Sequence, residues 1–282
     1  TVTRWFQRLS EDRWQSLPRT NLAFAWALLM RGRYGEIEPY LQRAEPGIPD
    51  DARELHAEYH ALRAALADTQ GDPTSALIHA RRALDEAASD NLLIQAMAYT
   101  ALGGAQRTLG DVDAAVAAYE HGILLCQAAK LILPELLSRA HLGYLYVLQG
   151  RLRQAEAVTR SAVELSGRHP VAGAACAALG EVMLEWNRID EAADYIDKAI
   201  ATARQVGHNA ALVRSLTCLA RLRRIQGDLT GAQGALENAA ALTLQGVPRW
   251  IEPLLIAERV HLLLEQGALA AAETLCASHV TT

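Results

Sequence analysis

A chain of 282 residues, 51% apolar and 21% charged with a net charge of −5, has ample core-forming residues and is neither disordered nor membrane-spanning, since no apolar run approaches the roughly 18 residues a spanning helix needs. Its mild acidity excludes a nucleic-acid binder held by bulk charge, because phosphate neutralisation wants an excess of Lys and Arg. Aromatics are only 5% while Ala recurs everywhere, which favours closely packed helices over a sheet, so the predicted class is all-α.

In chain order, Trp5, Phe6, Leu9 and Trp14, ahead of Pro18, read as the second helix of a preceding, incomplete repeat over residues 1–17, and residues 18–282 read as one repeat array. A short polar turn punctuates the array: Arg31-Gly32-Arg33, Gln70-Gly71-Asp72, Leu109-Gly110-Asp111, Gln149-Gly150-Arg151, Trp186-Asn187-Arg188, Gln226-Gly227-Asp228 and Gln266-Gly267-Ala268. Its central residues stand 39, 39, 40, 37, 40 and 40 apart. Gly, and Asn187 in its place, are the residues that tolerate a left-handed helix end. Five residues after each turn stands Ala76, Ala115, Ala155, Ala192, Ala232 or Ala272, with Ile37 the exception. Twelve residues after it stands Ala44, Ala83, Ala162, Ala199 or Ala239, with Gly122 and His279 departing. Upstream, eight and seven residues before the turn, the pairs Leu102-Gly103, Leu142-Gly143, Leu179-Gly180 and Leu219-Ala220 leave room for two helix backbones to approach.

Each repeat therefore predicts a helix pair, for example Asn209 to Gln226 followed by Leu229 to Leu244. Neither helix buries its apolar stripe alone, so neighbouring repeats stack into one continuous core. The first residue is Thr, no cationic and apolar signal segment opens the chain, and the last residue falls 15 positions past Gly267. Both ends thus read as cut from a longer array. Cys126, Cys176, Cys218 and Cys276 stand 50, 42 and 58 apart. They form no CxxC pair or disulfide framework and read as free, buried and intracellular, which places the protein in the cytoplasm.

Motifs that would carry chemistry are missing. The only lysines, Lys130 and Lys198, are not preceded by Gly, so there is no P-loop; G-x-S-x-G, G-x-G-x-x-G and H-E-x-x-H are absent too. The expectation is a non-catalytic chain without cofactor or metal. His56 and His60, four apart with Glu58 between them, have superficially metal-like spacing, but Glu58 is misplaced for that chemistry and no third ligand is evident; they read as two exposed helical histidines. Trp26, Trp186 and Trp250 read as groove plugs rather than sugar platforms, and the run Arg221, Arg223, Arg224 as a solvated face or a phosphate contact.

The Leu-Gly pair, turn Gly and two Ala resemble the tetratricopeptide repeat over nearly the whole chain. The period near 40 rather than 34 implies helices of roughly 16 to 18 residues, and HEAT-like pairs share that longer period. The resemblance implies an α-solenoid, a right-handed superhelix of about seven helix pairs, whose first helices line a concave groove. Offsets of −13, −10, −6 and −3 from the turn fall on one helical face. In the sixth repeat they are Arg214, Thr217, Arg221 and Arg224, with Leu212, Leu216 and Leu219 toward the core. The −6 column reads Trp26, Ala65, Gly104, Tyr144, Glu181, Arg221 and His261, and Arg107 joins it from the −3 column. The candidate ligand- or partner-binding residues are therefore Arg107, Tyr144, Glu181, Arg214, Arg221 and Arg224. The arginines would hold an anionic group while an apolar or sugar face stacks on Tyr144. In the alternative, Glu181 and Arg221 merely pair with each other.

Trp5-Phe6-x-x-Leu9 with Trp14 and Leu17-Pro18, then Leu22-x-x-Ala25-Trp26-x-Leu28 and Gly32, is similar to the linker and first repeats of the MalT-like regulators, the large ATP-dependent members of the LuxR family. That resemblance implies a sensor array that receives a small-molecule inducer or a regulatory protein. It would lie between an ATPase domain and a C-terminal helix-turn-helix, and this piece would itself bind neither nucleic acid nor membrane. A tetratricopeptide scaffold for partner proteins, without transcriptional role, is the alternative.

Overall fold

The computed structural model describes residues 17–167, 172–244 and 246–280; the helix expected over residues 1–17 falls, but for Leu17, outside them. The described residues form fourteen α-helices and three 3-10 turns, with no strand among them. They divide into two compact units, residues 1–134 and 135–282. In the first, α1 (Pro18–Leu29) is followed by a short α2 (Glu38–Ala44), then by the pairs α3 (Arg53–Gln70) with α4 (Pro73–Glu86) and α5 (Leu92–Thr108) with α6 (Val112–Ala129). The second is built on α7 (Ile132–Leu148) with α8 (Leu152–Ser166), α9 (Ala172–Glu185) with α10 (Ile189–Val206), α11 (Asn209–Ile225) with α12 (Leu229–Thr243), and α13 (Glu252–Glu265) with α14 (Leu269–Val280). The expected pair in the sixth repeat is found to within one residue at each end.

All seven turn residues are left-handed: Gly32, Gly71, Gly110, Gly150, Gly227 and Gly267 have φ between 69° and 83°, and Asn187 has φ 55°. Where Asp follows the turn it starts the next helix. The carboxylates of Asp72, Asp111 and Asp228 accept from the backbone N–H of Ser75 (3.0 Å), Ala114 (3.1 Å) and Gly231 (2.8 Å), satisfying an N–H that the helix leaves over. Where Arg stands there instead, no side chain caps the helix; Arg151 reaches Gln154 at 2.5 Å and Arg188 reaches Glu191 at 2.6 Å.

The small-residue columns are the contact between the two helices of each pair. The alanines five residues after the turn are at most 3% exposed, and Ile37 in their column is at 0%. A Cβ on Gly143 would stand 2.3 Å from Thr159 Cγ2, and one on Gly180 would stand 2.9 Å from Ile196 Cγ1. Those backbones are therefore closer than any larger residue allows.

Three expectations need correction. Helices from α3 to α12 have 14 to 18 residues, but α2 has only seven and gives way to a 3-10 turn beginning at Glu45. Pro39 and Pro46 each open a new short element, since proline tolerates a first turn but not a helix interior. Cys276 is exposed, whereas Cys126, Cys176 and Cys218 are buried; all four are free. Among the described residues no helix follows α14 to cover it. Finally, Leu216 is buried at 3% exposure, but Leu212 and Leu219 are only half-buried and Arg214 is buried beside them.

Candidate functional site

In the second unit the first helices α7, α9, α11 and α13 bring Tyr144, Glu181, Arg214, Arg221 and Arg224 into one network of charges. Arg214 Nη2 donates to Glu181 Oε2 at 2.9 Å, and its guanidinium stands 5.8 Å from the centre of the Tyr144 ring. Arg214 is 6% exposed, and its buried Nε finds no acceptor among the described residues. Burial works against its charge, but Glu181, Cys218 and Tyr144 together outweigh that and hold the guanidinium above its ordinary pKa. One turn on, burial and then the nearby Glu181 carboxylate push the Cys218 thiol up to about 12, so this cysteine is no nucleophile.

Arg221 pairs through Nη1 with Glu185 Oε1 at 2.7 Å, with both side chains about a quarter exposed. Arg224 joins α11 to α13, with Nε 3.4 Å from Glu258 Oε2 and Nη1 2.5 Å from Glu265 Oε1. Burial raises the pKa of Glu258, and Arg224, Arg221 and His261 offset only part of that rise. Three arginines thus face four glutamates, and the stripe is a largely self-neutralised ladder rather than an open cationic strip.

Glu181 and Arg221, which share the −6 offset, do not pair with each other as the alternative supposed. The partners are shifted along their helices: Arg214 lies at −13 and Glu181 at −6, Arg221 at −6 and Glu185 at −2. Glu185, Glu258 and Glu265 escape a reading of the sequence confined to the four stripe offsets, because none of them falls on those positions. A recurring acid two residues before the turn, Glu185 and Glu265, was the available signal.

Arg107 lies in the first unit and belongs to a different cluster. Its Nη2 is 4.0 Å from Asp68 Oδ1, a loose contact, and that oxygen is buried without a hydrogen-bond partner among the described residues. The carboxyl sits over Gly104, where an added Cβ would stand 2.4 Å from Oδ1. Burial, only partly offset by Arg107, raises Asp68 to about 6. Trp26 is a structural residue, its indole donating to Glu58 Oε1 at 2.9 Å.

The histidines depart from expectation. His56 is half-buried, with Nε2 3.1 Å from the Pro49 carbonyl, and His60 is buried against His79 of α4. No group of three or more His, Cys, Asp or Glu side chains among the described residues could hold a metal ion, and no described helix is long and apolar enough to cross a membrane.

Comparison with known proteins gives this architecture a family. The HTH-type transcriptional regulator MalT of Cronobacter sakazakii (strain ATCC BAA-894) is 29% identical over 244 residues, covering 83% of this chain and 26% of that protein, so the chain spans about a quarter of its relative's length. Among solved structures, the apo form of RapI superposes with TM-score 0.68 at 13% identity, covering 92% of this chain and 94% of that one. NprR in complex with its cognate peptide NprX superposes with TM-score 0.69 at 10% identity, covering 99% and 81%. Those two likenesses concern the fold alone. The family model described as the MalT-like TPR region matches residues 57–281, and the helix-pair α-solenoid repeat described above belongs to that family.

Proposed function

We propose that this chain is the non-catalytic sensor region of a MalT-like, LuxR-family transcriptional regulator, receiving a small-molecule inducer or a regulatory protein on its first helices and thereby biasing an attached ATPase. The observation that carries the reading is the Tyr144–Arg214–Arg221–Arg224 network with its four glutamates. Stacking of Ala-rich helices does not itself require a ladder of charges, and the half-buried guanidiniums of Arg221 and Arg224 suit directional recognition of a polar ligand. Because each arginine already holds a carboxylate, binding an anionic group is an exchange in which the ligand takes the place of Glu185 or Glu258. A protein of this fold is known in complex with a peptide, which fits a receiving role for such arrays.

The test is a thermal-shift screen of the chain against short peptides and small polar metabolites, followed by calorimetry of any hit. With Arg221→Ala the affinity of a true groove ligand falls by ~1.5–3 kcal/mol, the usual cost of a charged hydrogen bond. A hit whose affinity is unchanged by Arg221→Ala and Arg224→Ala together places the receiving surface elsewhere.

A further inference from the structure

Between α3 and α4 lies a pair of imidazoles that the sensor reading does not use. His60 on α3 is 8% exposed, and its Nδ1 lies 2.9 Å from Nδ1 of His79 on α4, with ring centroids 5.0 Å apart. Two ring nitrogens at that distance hold one proton between them: one ring donates its N–H and the other accepts, so at least one of them is neutral. With both imidazoles protonated, two cationic rings would face each other N–H to N–H across 2.9 Å, partly shielded from water.

On balance the surroundings oppose full protonation of the pair, although the Glu45 and Asp72 carboxylates favour a proton on His79. From α3, His56, Arg63 and Tyr59 face the pair, the Tyr59 ring lying edge-on to His60 with centroids 5.3 Å apart; from α4 comes Arg82, with Asp72 at its N-cap; from the 3-10 turn comes Glu45. Arg63 is held by Glu38, with two contacts at 2.8 Å, and Asp72 accepts from Ser75 N–H, so both are fixed in place. We propose that His60 and His79 form an acid-sensitive latch between α3 and α4, closed by a single shared proton and released when the second imidazole is protonated. Burial, then His79, Arg82, His56 and Arg63, pushes His60 down to about 4, and burial and the same two arginines lower His79. Folded values below the ordinary 6.5 mean that the latch is fully closed above 6.5 and loses its stability as pH falls from there toward about 4.

The experiment uses the full chain with Asp68→Asn, since that carboxyl titrates in the same range with the opposite sign. Hydrogen exchange of the α3 and α4 amides, corrected for intrinsic rates, is compared at pH 7.5 and pH 5 with that of α9 and α10. Exchange in α3 and α4 is expected to quicken roughly tenfold or more at the lower pH relative to α9 and α10. Adding His79→Asn, which keeps a hydrogen-bond partner near the Nδ1 position but does not titrate, should reduce this to twofold or less. The latch is refuted if acid leaves α3 and α4 unchanged, or if the asparagine variant opens as the parent does. Should that variant not fold, NMR titration of the parent imidazoles decides: two steps below 6.5 support the latch, and titration of both rings at or above 6.5 overturns it.

Discussion

Arg221 meets Glu185 at 2.7 Å and leaves Glu181, its neighbour in register, to Arg214 at 2.9 Å. Two adjacent helices therefore carry two parallel ion pairs of different depth. The Arg214 and Glu181 side chains are 7% and 16% exposed, against 25% and 29% for Arg221 and Glu185.

That difference predicts different costs. Arg221→Ala leaves Glu185 with access to water and should lower stability by about 1 kcal/mol or less. Arg214→Ala removes a buried guanidinium, leaves the half-buried Glu181 carboxylate without its partner and opens a void against Tyr144, and should cost about 3 kcal/mol or more. The double change Arg214→Met with Glu181→Leu should recover most of that loss. Chemical denaturation of the three variants measures all of this, and equal losses for Arg214→Ala and Arg221→Ala would contradict the ordering of burial.

The glycines at the close helix contacts give a second prediction. Gly143→Ala places a methyl 2.3 Å from Thr159 Cγ2, on a short branched side chain that cannot swing away. Overpacking of this kind costs about 1–3 kcal/mol. Gly35→Ala, where nothing lies within 4 Å and φ is not positive, is the matched control and should change the unfolding midpoint little. Thermal unfolding of the two variants side by side reads the difference.

Asp68 gives a pH dependence with a definite sign. Its folded-state value of about 6 lies above its ordinary 3.8, so the folded protein binds the proton more tightly than the unfolded chain does. The penalty of the buried charge is full above about 6 and is relieved as pH falls from 6 toward 3.8. Measured against Asp68→Asn, the parent should gain about 2 kcal/mol between pH 7.5 and pH 4.5, since a tenfold change in proton affinity is worth ~1.4 kcal/mol. Unfolding curves for both proteins across that range check it, and a constant difference would show that the carboxyl titrates as in water.

The amino-acid sequence by itself determined the repeat. Gly or Asn at the turn and Ala at fixed distances act within one helix pair, through backbone conformation and a close approach, so their spacing located the turn of each repeat and, in the sixth, the bounds of α11 and α12 to within one residue. It also placed Tyr144, Glu181, Arg214, Arg221 and Arg224 on first helices. Which charges meet was decided only by tertiary structure: Arg221 with Glu185, Arg214 sunk beside Tyr144, Arg107 in the first unit against Asp68, and His60 buried against His79. These contacts depend on how far one helix is shifted along the next and how deeply each side chain is covered. Residues equivalent in the repeat need not be opposite one another in space, and a set of offsets carries neither the shift nor the depth.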